Sequence, residues 1–198
     1  MKNRILLGLA AIAMVAVLAS CGKKPQVEID ATNAAIAAAQ TAEANVYLPG
    51  EFAALQDSMN AINAKIAEVD GKLFKNYKEV VADLASVKTL AETVVTNVAV
   101  KKDEVKKEAE GLLSNIKAVV EENAKLLPKL PRGKEGAAVI EQIKGDLTAV
   151  DATVAEAQSL FDKGTYMDAL NKIKAATDKA ASLNAEIKEV LTKAKIRF

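Results

Sequence analysis

Very few residues of this chain have side chains that readily take part in chemistry. The sequence has no His and a single Cys, Cys21. It therefore lacks the commonest general base and metal ligand, and it has no Glu-x-x-His pair, glycine-rich phosphate loop or set of Cys ligands. We expect no catalytic residues, no cofactor and no bound metal, and hence a protein that is not an enzyme. A metal site made of carboxylates alone is the alternative that the sequence leaves open.

The single Cys comes directly after an apolar segment with a basic start. Lys2 and Arg4 precede an apolar run at residues 5–19, which is shorter than the roughly 20 residues that a membrane-spanning helix needs. A short run between basic and small residues is typical of a cleaved export signal. The sequence therefore predicts a signal peptide at residues 1–20 and a short tether at residues 21–25.

The end of this segment, Leu18-Ala19-Ser20-Cys21-Gly22, resembles the lipobox of bacterial lipoproteins. The resemblance implies cleavage after Ser20, a diacylglyceryl thioether on Cys21 and acylation of the new amino terminus by chains such as palmitate. Gly22 replaces the Asp that retains many such proteins at the inner membrane. The resemblance therefore favours an outer-membrane lipoprotein whose body faces the periplasm. The alternative is an ordinary secretory signal followed by a fortuitous Cys.

The charge balance gives no indication of a nucleic-acid partner. The chain has 27 Lys and Arg against 26 Asp and Glu. Loss of residues 1–20 removes two basic residues, which leaves 25 against 26 and a net charge of −1. Since both signs are interspersed, there is no basic patch for a phosphate backbone. The expected partners are a membrane, reached through the lipid anchor, and an envelope protein whose identity the sequence does not indicate.

Apolar residues with helical spacing fill the rest of the chain. Hydrophobic residues make up 51% of the sequence, which is enough to build a core. Only 4% of the residues are aromatic and 38 are Ala, which favours helices over strands. Apolar residues that are alternately three and four positions apart predict heptad seams, which are apolar stripes along one face of a helix. After residues 101–104 this spacing resumes one residue out of step. The seam residues are Phe52, Leu55, Met59, Ile62, Ile66, Val69 and Leu73; Tyr77, Val80, Leu84, Val87, Ala91, Val94 and Val98; Ala109, Leu112, Ile116, Val119, Asn123, Leu126 and Leu130; Val139, Ile143, Leu147, Val150, Val154, Ala157 and Phe161; and Tyr166, Leu170, Ile173, Ala180, Leu183, Ile187, Leu191 and Ala194.

These seams predict an all-α fold of elongated, tandem three-helix bundles that are antiparallel and coiled-coil-like. A first three-helix unit at 26–100 and a second at 101–198 share one long helix from about 76 to 127, in which a kink near 99–103 is the alternative. A Leu-Pro break at 48–51 recurs at 130–135. This recurrence suggests an internal duplication, although convergence on the same turn chemistry explains it as well.

Two further resemblances concern the helical body. The shared helix makes the architecture similar to spectrin-type repeats, and Gly164, Tyr166 and Ala169 are spaced as in the turn of tetratricopeptide repeats. The chain as a whole resembles small helical, repeat-containing envelope lipoproteins of Gram-negative bacteria. That resemblance assigns no activity.

Aromatic residues lie beside the predicted turns, where Asn76 and Thr165 are expected to cap the helices that follow. Phe74 and Tyr77 lie at one turn, and Phe161 and Tyr166 at another. We expect these rings to plug the bundle ends, because small side chains leave gaps where helices splay. Exposed tips that contact a partner or a lipid surface are the alternative.

Helix one, expected from Gln26 to Tyr47, has small residues at helical spacing. Ala31, Ala35, Ala38 and Ala42 share one face, which lets two helices approach closely. We expect this face to pack inside its own bundle, with a docking face for another protein as the alternative.

Taken together, these features predict a function that does not depend on catalysis. The first hypothesis is a lipid-anchored scaffold or adaptor that binds an envelope protein at the outer membrane. The second is a carrier that encloses an apolar small molecule or lipid between its helices, as bundle cores do. The sequence does not predict the oligomeric state.

Overall fold

The structure is a computed structural model that describes residues 22–131 and 134–198, without the side chains of 134–136. Ser20, Cys21 and the predicted signal peptide lie outside these residues. Within the described ranges all regular structure is helical, which confirms the all-α helical bundle. None of the described helices is both long and apolar enough to cross a membrane.

Six α-helices follow one another along the described ranges. They are α1 (Gln26–Thr41), α2 (Ala44–Tyr47), α3 (Pro49–Asp70), α4 (Lys78–Leu126), α5 (Lys134–Asp162) and α6 (Tyr166–Lys193), and a 3-10 turn at Leu127–Lys129 follows α4. Helix α4 is a single element of 49 residues, close to the predicted span. Contacts divide the chain into two compact units: the first ends at Val100, and the second comprises Lys101–Phe198. Helix α4 therefore contributes to both units.

The first unit packs α1, α2, α3 and the first half of α4 around an apolar core. All seven seam residues from Tyr77 to Val98 are buried, as are the first five of α3, from Phe52 to Ile66. The hydroxyl of the buried Thr32 lies 3.1 Å from the Leu84 carbonyl oxygen, which ties α1 to α4. Burial of one stripe from each helix therefore holds this unit together.

The first helix is shorter than the sequence predicted. Instead of running from Gln26 to Tyr47, α1 ends at Thr41, and Glu43 has a left-handed φ of 70° before the short α2. The break redirects the chain so that Ala44 and Tyr47 are buried. The sequence does not reveal this break, because no Gly or Pro lies between Gln26 and Tyr47.

The second unit packs the second half of α4 with α5 and α6. Its core contains Ile116, Leu126, Leu130, Ile143, Leu147, Val150, Ala176, Ala180, Leu183, Ile187 and Leu191. The burial pattern departs from the predicted seam at several positions: Val105 is buried although it was not assigned, and Leu113 is buried while Leu112 is only half-buried. The assigned residues Val139 and Ala194 are exposed, so their placement on the seam is wrong. Val105 lies seven residues after Val98, so the seam is not interrupted at residues 101–104. The predicted shift by one residue is present from Ala109 onwards.

The two predicted helix caps differ in the structure. The Asn76 side-chain oxygen accepts a hydrogen bond from the Lys78 amide at 3.1 Å, as expected of a cap. The Thr165 side chain makes no capping bond to α6. Its hydroxyl instead donates to the Leu160 carbonyl at 2.9 Å, after Gly164 has turned the chain with a φ of 82°. Thr165 therefore closes the end of α5, and its predicted capping role is wrong.

Candidate functional site

The α3–α4 loop, residues 71–77, presents two large apolar side chains to solvent. Leu73 is 92% exposed and Phe74 is 87% exposed. The predictions that Phe74 closes the bundle end and that Leu73 extends the seam are therefore wrong. The reason is that α3 ends at Asp70, so the apolar pattern continues in sequence after the helix has stopped. Tyr77, which is 1% exposed, takes the buried position instead and cannot serve as an interaction tip.

The carboxylate of Asp70 holds this loop in place. The Tyr77 hydroxyl donates a hydrogen bond to Asp70 Oδ1. The Nζ atom of Lys75 lies 3.9 Å from the same oxygen, and the Nζ atom of Lys24 lies 3.9 Å from Oδ2. One side chain thus links the segment before α1, the loop and the residue before α4. The hydrogen bond to Asp70, together with burial, raises the pKa of Tyr77.

A second set of ion pairs joins the helices on either side of the loop. Lys65 of α3 lies 2.7 Å from Asp83 and 2.9 Å from Glu79, both on α4. Both carboxylates raise the pKa of Lys65 above its usual range, and the hydrogen bond with Asp83 has the larger effect. Within the loop region, Lys72 pairs with Glu68 at 2.6 Å and thereby lowers the pKa of Glu68.

The other predicted aromatic pair lies at the turn between α5 and α6. The rings of Phe161 and Tyr166 are both half-buried, and their centroids are 5.2 Å apart at an interplanar angle of 59°. The Nζ atom of Lys106 lies 5.7 Å from the centroid of the Tyr166 ring. The two rings therefore cover the turn and shield each other.

Truncating these two Phe residues is expected to have unequal effects on stability. Phe161→Ala should lower the free energy of unfolding by about 1 to 2 kcal/mol, because it removes a half-buried ring and its aromatic partner contact. Phe74→Ala should leave it almost unchanged, since that ring is in solvent. Urea unfolding of both variants measures the difference. Equal destabilisation would contradict the placement of Phe74.

The alanines of α1 line an open groove against α4 rather than the core. The buried residues of α1 are Ile29, Thr32 and Ala39. Ala38 is exposed, and Ala31, Ala35 and Ala42 are half-buried. The predicted packing of this face inside its own bundle is therefore only partial, because the buried contact with α4 is made by the face with Thr32. The groove is about 390 Å³ and is lined by Ala31, Ala34, Ala35, Ala38, Lys88, Glu92 and Val95.

The second unit has a larger open groove beside the turn after α4. It is about 470 Å³ and is lined by Leu127, Pro128, Leu130, Ala137, Ile140, Glu141 and Lys144. Five of these seven residues are apolar, and the other two are Glu141 and Lys144. Its volume falls in the range of small-molecule pockets.

A polar pair lies inside the second unit among apolar neighbours. Asn123 is fully buried; its amide nitrogen donates to the Ala180 carbonyl at 2.9 Å, and its oxygen accepts from the Asn184 amide at 2.7 Å. Nearby, Lys188 pairs with Glu122 at 2.8 Å, and this bond lowers the pKa of Glu122. The sequence placed Asn123 on the seam but did not identify Asn184 as its partner. A polar residue at an apolar seam position was the available signal.

No group of three or more His, Cys, Asp or Glu side chains in the described part of the chain is arranged to hold a metal ion. In comparisons with known proteins, the chain matches no family model, no curated protein and no solved structure. The candidate site is therefore defined by its own geometry: an exposed apolar loop beside the segment that leads to Cys21.

Proposed function

We propose that this chain is a lipid-anchored helical adaptor, not an enzyme, which is held at the outer membrane through Cys21 and binds an envelope protein from the periplasm. The observation that carries the proposal is the lipobox-like sequence that ends the apolar run at Cys21. Acyl chains gain about 0.8 kcal/mol per buried methylene, so a multiply acylated terminus is a lasting anchor.

The start of the helical body supports this arrangement. Pro25 is buried, and the Ile29 amide donates to its carbonyl at 3.1 Å, so the chain is already packed on the body at that point. An anchor at Cys21 would then hold the first unit close to the membrane surface. The helices present mixed charges and single exposed apolar side chains such as Leu90 to solvent, a surface on which the binding site of the partner is not marked by one large apolar patch.

Replacing the anchoring residue tests the proposal directly. Cys21→Ser is expected to abolish labelling by radioactive palmitate and to move the protein from the membrane fraction to the soluble periplasmic fraction, because Ser offers no thiol for the thioether. Labelling and fractionation of cells that make the variant provide the measurement. Palmitate on the variant would contradict the anchor.

A matched variant tests the choice of membrane while keeping the thiol. Gly22→Asp introduces the residue whose absence favours the outer membrane. We expect this variant to keep its palmitate label and to move to the inner-membrane band of a density gradient. A label retained in the outer-membrane band would show that residue 22 does not determine the location.

The groove of about 470 Å³ in the second unit favours a second candidate function, that of a carrier for an apolar small molecule. Mass spectra of the protein purified from its own cells distinguish the two functions. A mass increment that is present under native conditions and lost in denaturing solvent supports the carrier. A bare lipoprotein mass under both conditions supports the adaptor, whose partner is then sought by crosslinking in intact cells.

A further inference from the structure

We propose that Leu73 and Phe74 insert into the surface of the bilayer that holds the lipid anchor, so that the α3–α4 loop is a second membrane contact. This inference rests on the proposed anchor at Cys21. The bilayer would then cover the two most exposed of the large apolar side chains described, which are adjacent in the sequence and are not covered by the protein.

The position of the loop relative to the anchor carries the proposal. The Nζ atom of Lys24 lies 3.9 Å from Asp70 Oδ2, so the segment before α1 lies against the end of α3. Cys21 is three residues before Lys24, and its Cα is at most about 11 Å from that of Lys24 in any conformation. Leu73 is three residues after Asp70, and the same limit applies. The acyl chains and the exposed apolar pair are therefore attached to one end of the first unit.

The charges around the loop match an anionic lipid surface. Segments 23–24 and 68–79 contain five lysines and three acids, whereas the mature chain as a whole has a net charge of −1. Lys72 and Lys75 directly flank the apolar pair. Lysine side chains can place their methylenes along an apolar surface while the ammonium stays at the level of the headgroups. Basic residues near an anionic leaflet strengthen membrane contact. The five lysines are Lys23, Lys24, Lys72, Lys75 and Lys78, and the three acids are Glu68, Asp70 and Glu79.

The loop is held firmly enough to present this pair. Tyr77 is buried and bonded to Asp70, and Lys65 joins α3 to α4 just below the loop. With both ends of the loop fixed, the side chains at positions 73 and 74 remain in solvent. A contact of this kind reaches about 5 to 10 Å into the boundary between headgroups and acyl chains, which suits one Leu and one Phe.

The chain has no Trp, so a single Trp reports the environment of one position. Phe74→Trp is made in the full chain, purified with its acyl groups and reconstituted in vesicles of phosphatidylethanolamine and phosphatidylglycerol, with or without brominated acyl chains. The matched control is Leu90→Trp, an exposed position of the same unit that lies about 18 Å along α4 from its first residue. Palmitate labelling of both proteins is measured in parallel.

We expect the emission of Trp at position 74 to shift to shorter wavelength and to be quenched by the brominated chains, while Trp at position 90 shows neither change. If both proteins carry palmitate but position 74 keeps the emission of a water-exposed ring, the loop contact is overturned and the anchor stands. Equal quenching at both positions also overturns a contact specific to the loop. If neither protein carries palmitate, the proposed anchor fails, and this proposal fails with it because the anchor placed the bilayer at this end.

Discussion

Replacing Tyr77 with Ala is expected to lower the melting temperature by about 10 °C or more. Tyr77 is among the largest fully buried side chains described, and truncation of a buried aromatic residue typically costs about 3 to 5 kcal/mol. Thermal unfolding followed by circular dichroism measures the change. Phe74→Ala, three residues away and in solvent, is the matched control and should melt like the parent.

Tyr77→Phe isolates the hydroxyl and should act mainly at high pH. The bond to Asp70 raises the pKa of the folded phenol above the ordinary value of about 10. The folded protein therefore keeps a proton that the unfolded chain has lost, and stability falls as the pH rises through this window. The parent should show this alkaline loss, and the Phe variant should show less of it. Identical pH profiles would contradict the raised pKa of Tyr77 in the folded protein.

Asn123→Asp is expected to destabilise the second unit by about 3 kcal/mol or more at neutral pH. The substitution places a carboxylate in a fully buried position and replaces the donor to the Ala180 carbonyl with a second acceptor. Burial should raise the pKa of the new carboxyl in the folded state. The destabilisation should therefore shrink as the pH falls from neutral through that raised pKa toward about 4, the ordinary value for Asp.

Urea unfolding at several pH values provides the measurement, and Asn115→Asp is the matched control. Asn115 lies on the same helix, but its side chain is exposed. The control should differ little from the parent at any pH. A similar loss in both variants would indicate a helix effect of the new charge rather than the burial of Asn123.

The helices with regular heptad spacing were the most predictable part of this fold. The seam from Tyr77 to Val98 is buried at every predicted position. The absence of Gly and Pro between Asn76 and Gly111 predicted the continuous α4, whose assigned bounds are Lys78 and Leu126. Both features depend on local spacing and chain stiffness, which a single sequence displays directly.

The candidate site could not be predicted in the same way. The apolar spacing of α3 continues through Leu73, although the helix has ended at Asp70, and only Gly71 signals the end. Which face of α1 is buried depends on α4, where Thr32 rather than Ala31 meets the Leu84 carbonyl. Of the three contacts of Asp70, the one with Lys24 joins segments far apart in the sequence, and the other two close the loop that follows α3. Such choices are made by tertiary packing, which periodicity does not encode.

The buried Asn123 also restricts which pairings of its helices are possible. Heptad seams of Ala, Val, Ile and Leu are nearly self-similar, so a slip of one helix by seven residues along its neighbour would bury almost the same apolar side chains. Only one alignment offers Asn123 both the Ala180 carbonyl and the Asn184 amide. After a slip of seven residues, Thr177 or Leu191 would take the place of Asn184, so the side-chain oxygen of Asn123 would lose the Asn184 amide that it accepts from in this alignment. This single side chain therefore favours one register of α4 against α6 over others that would bury a similar set of apolar side chains.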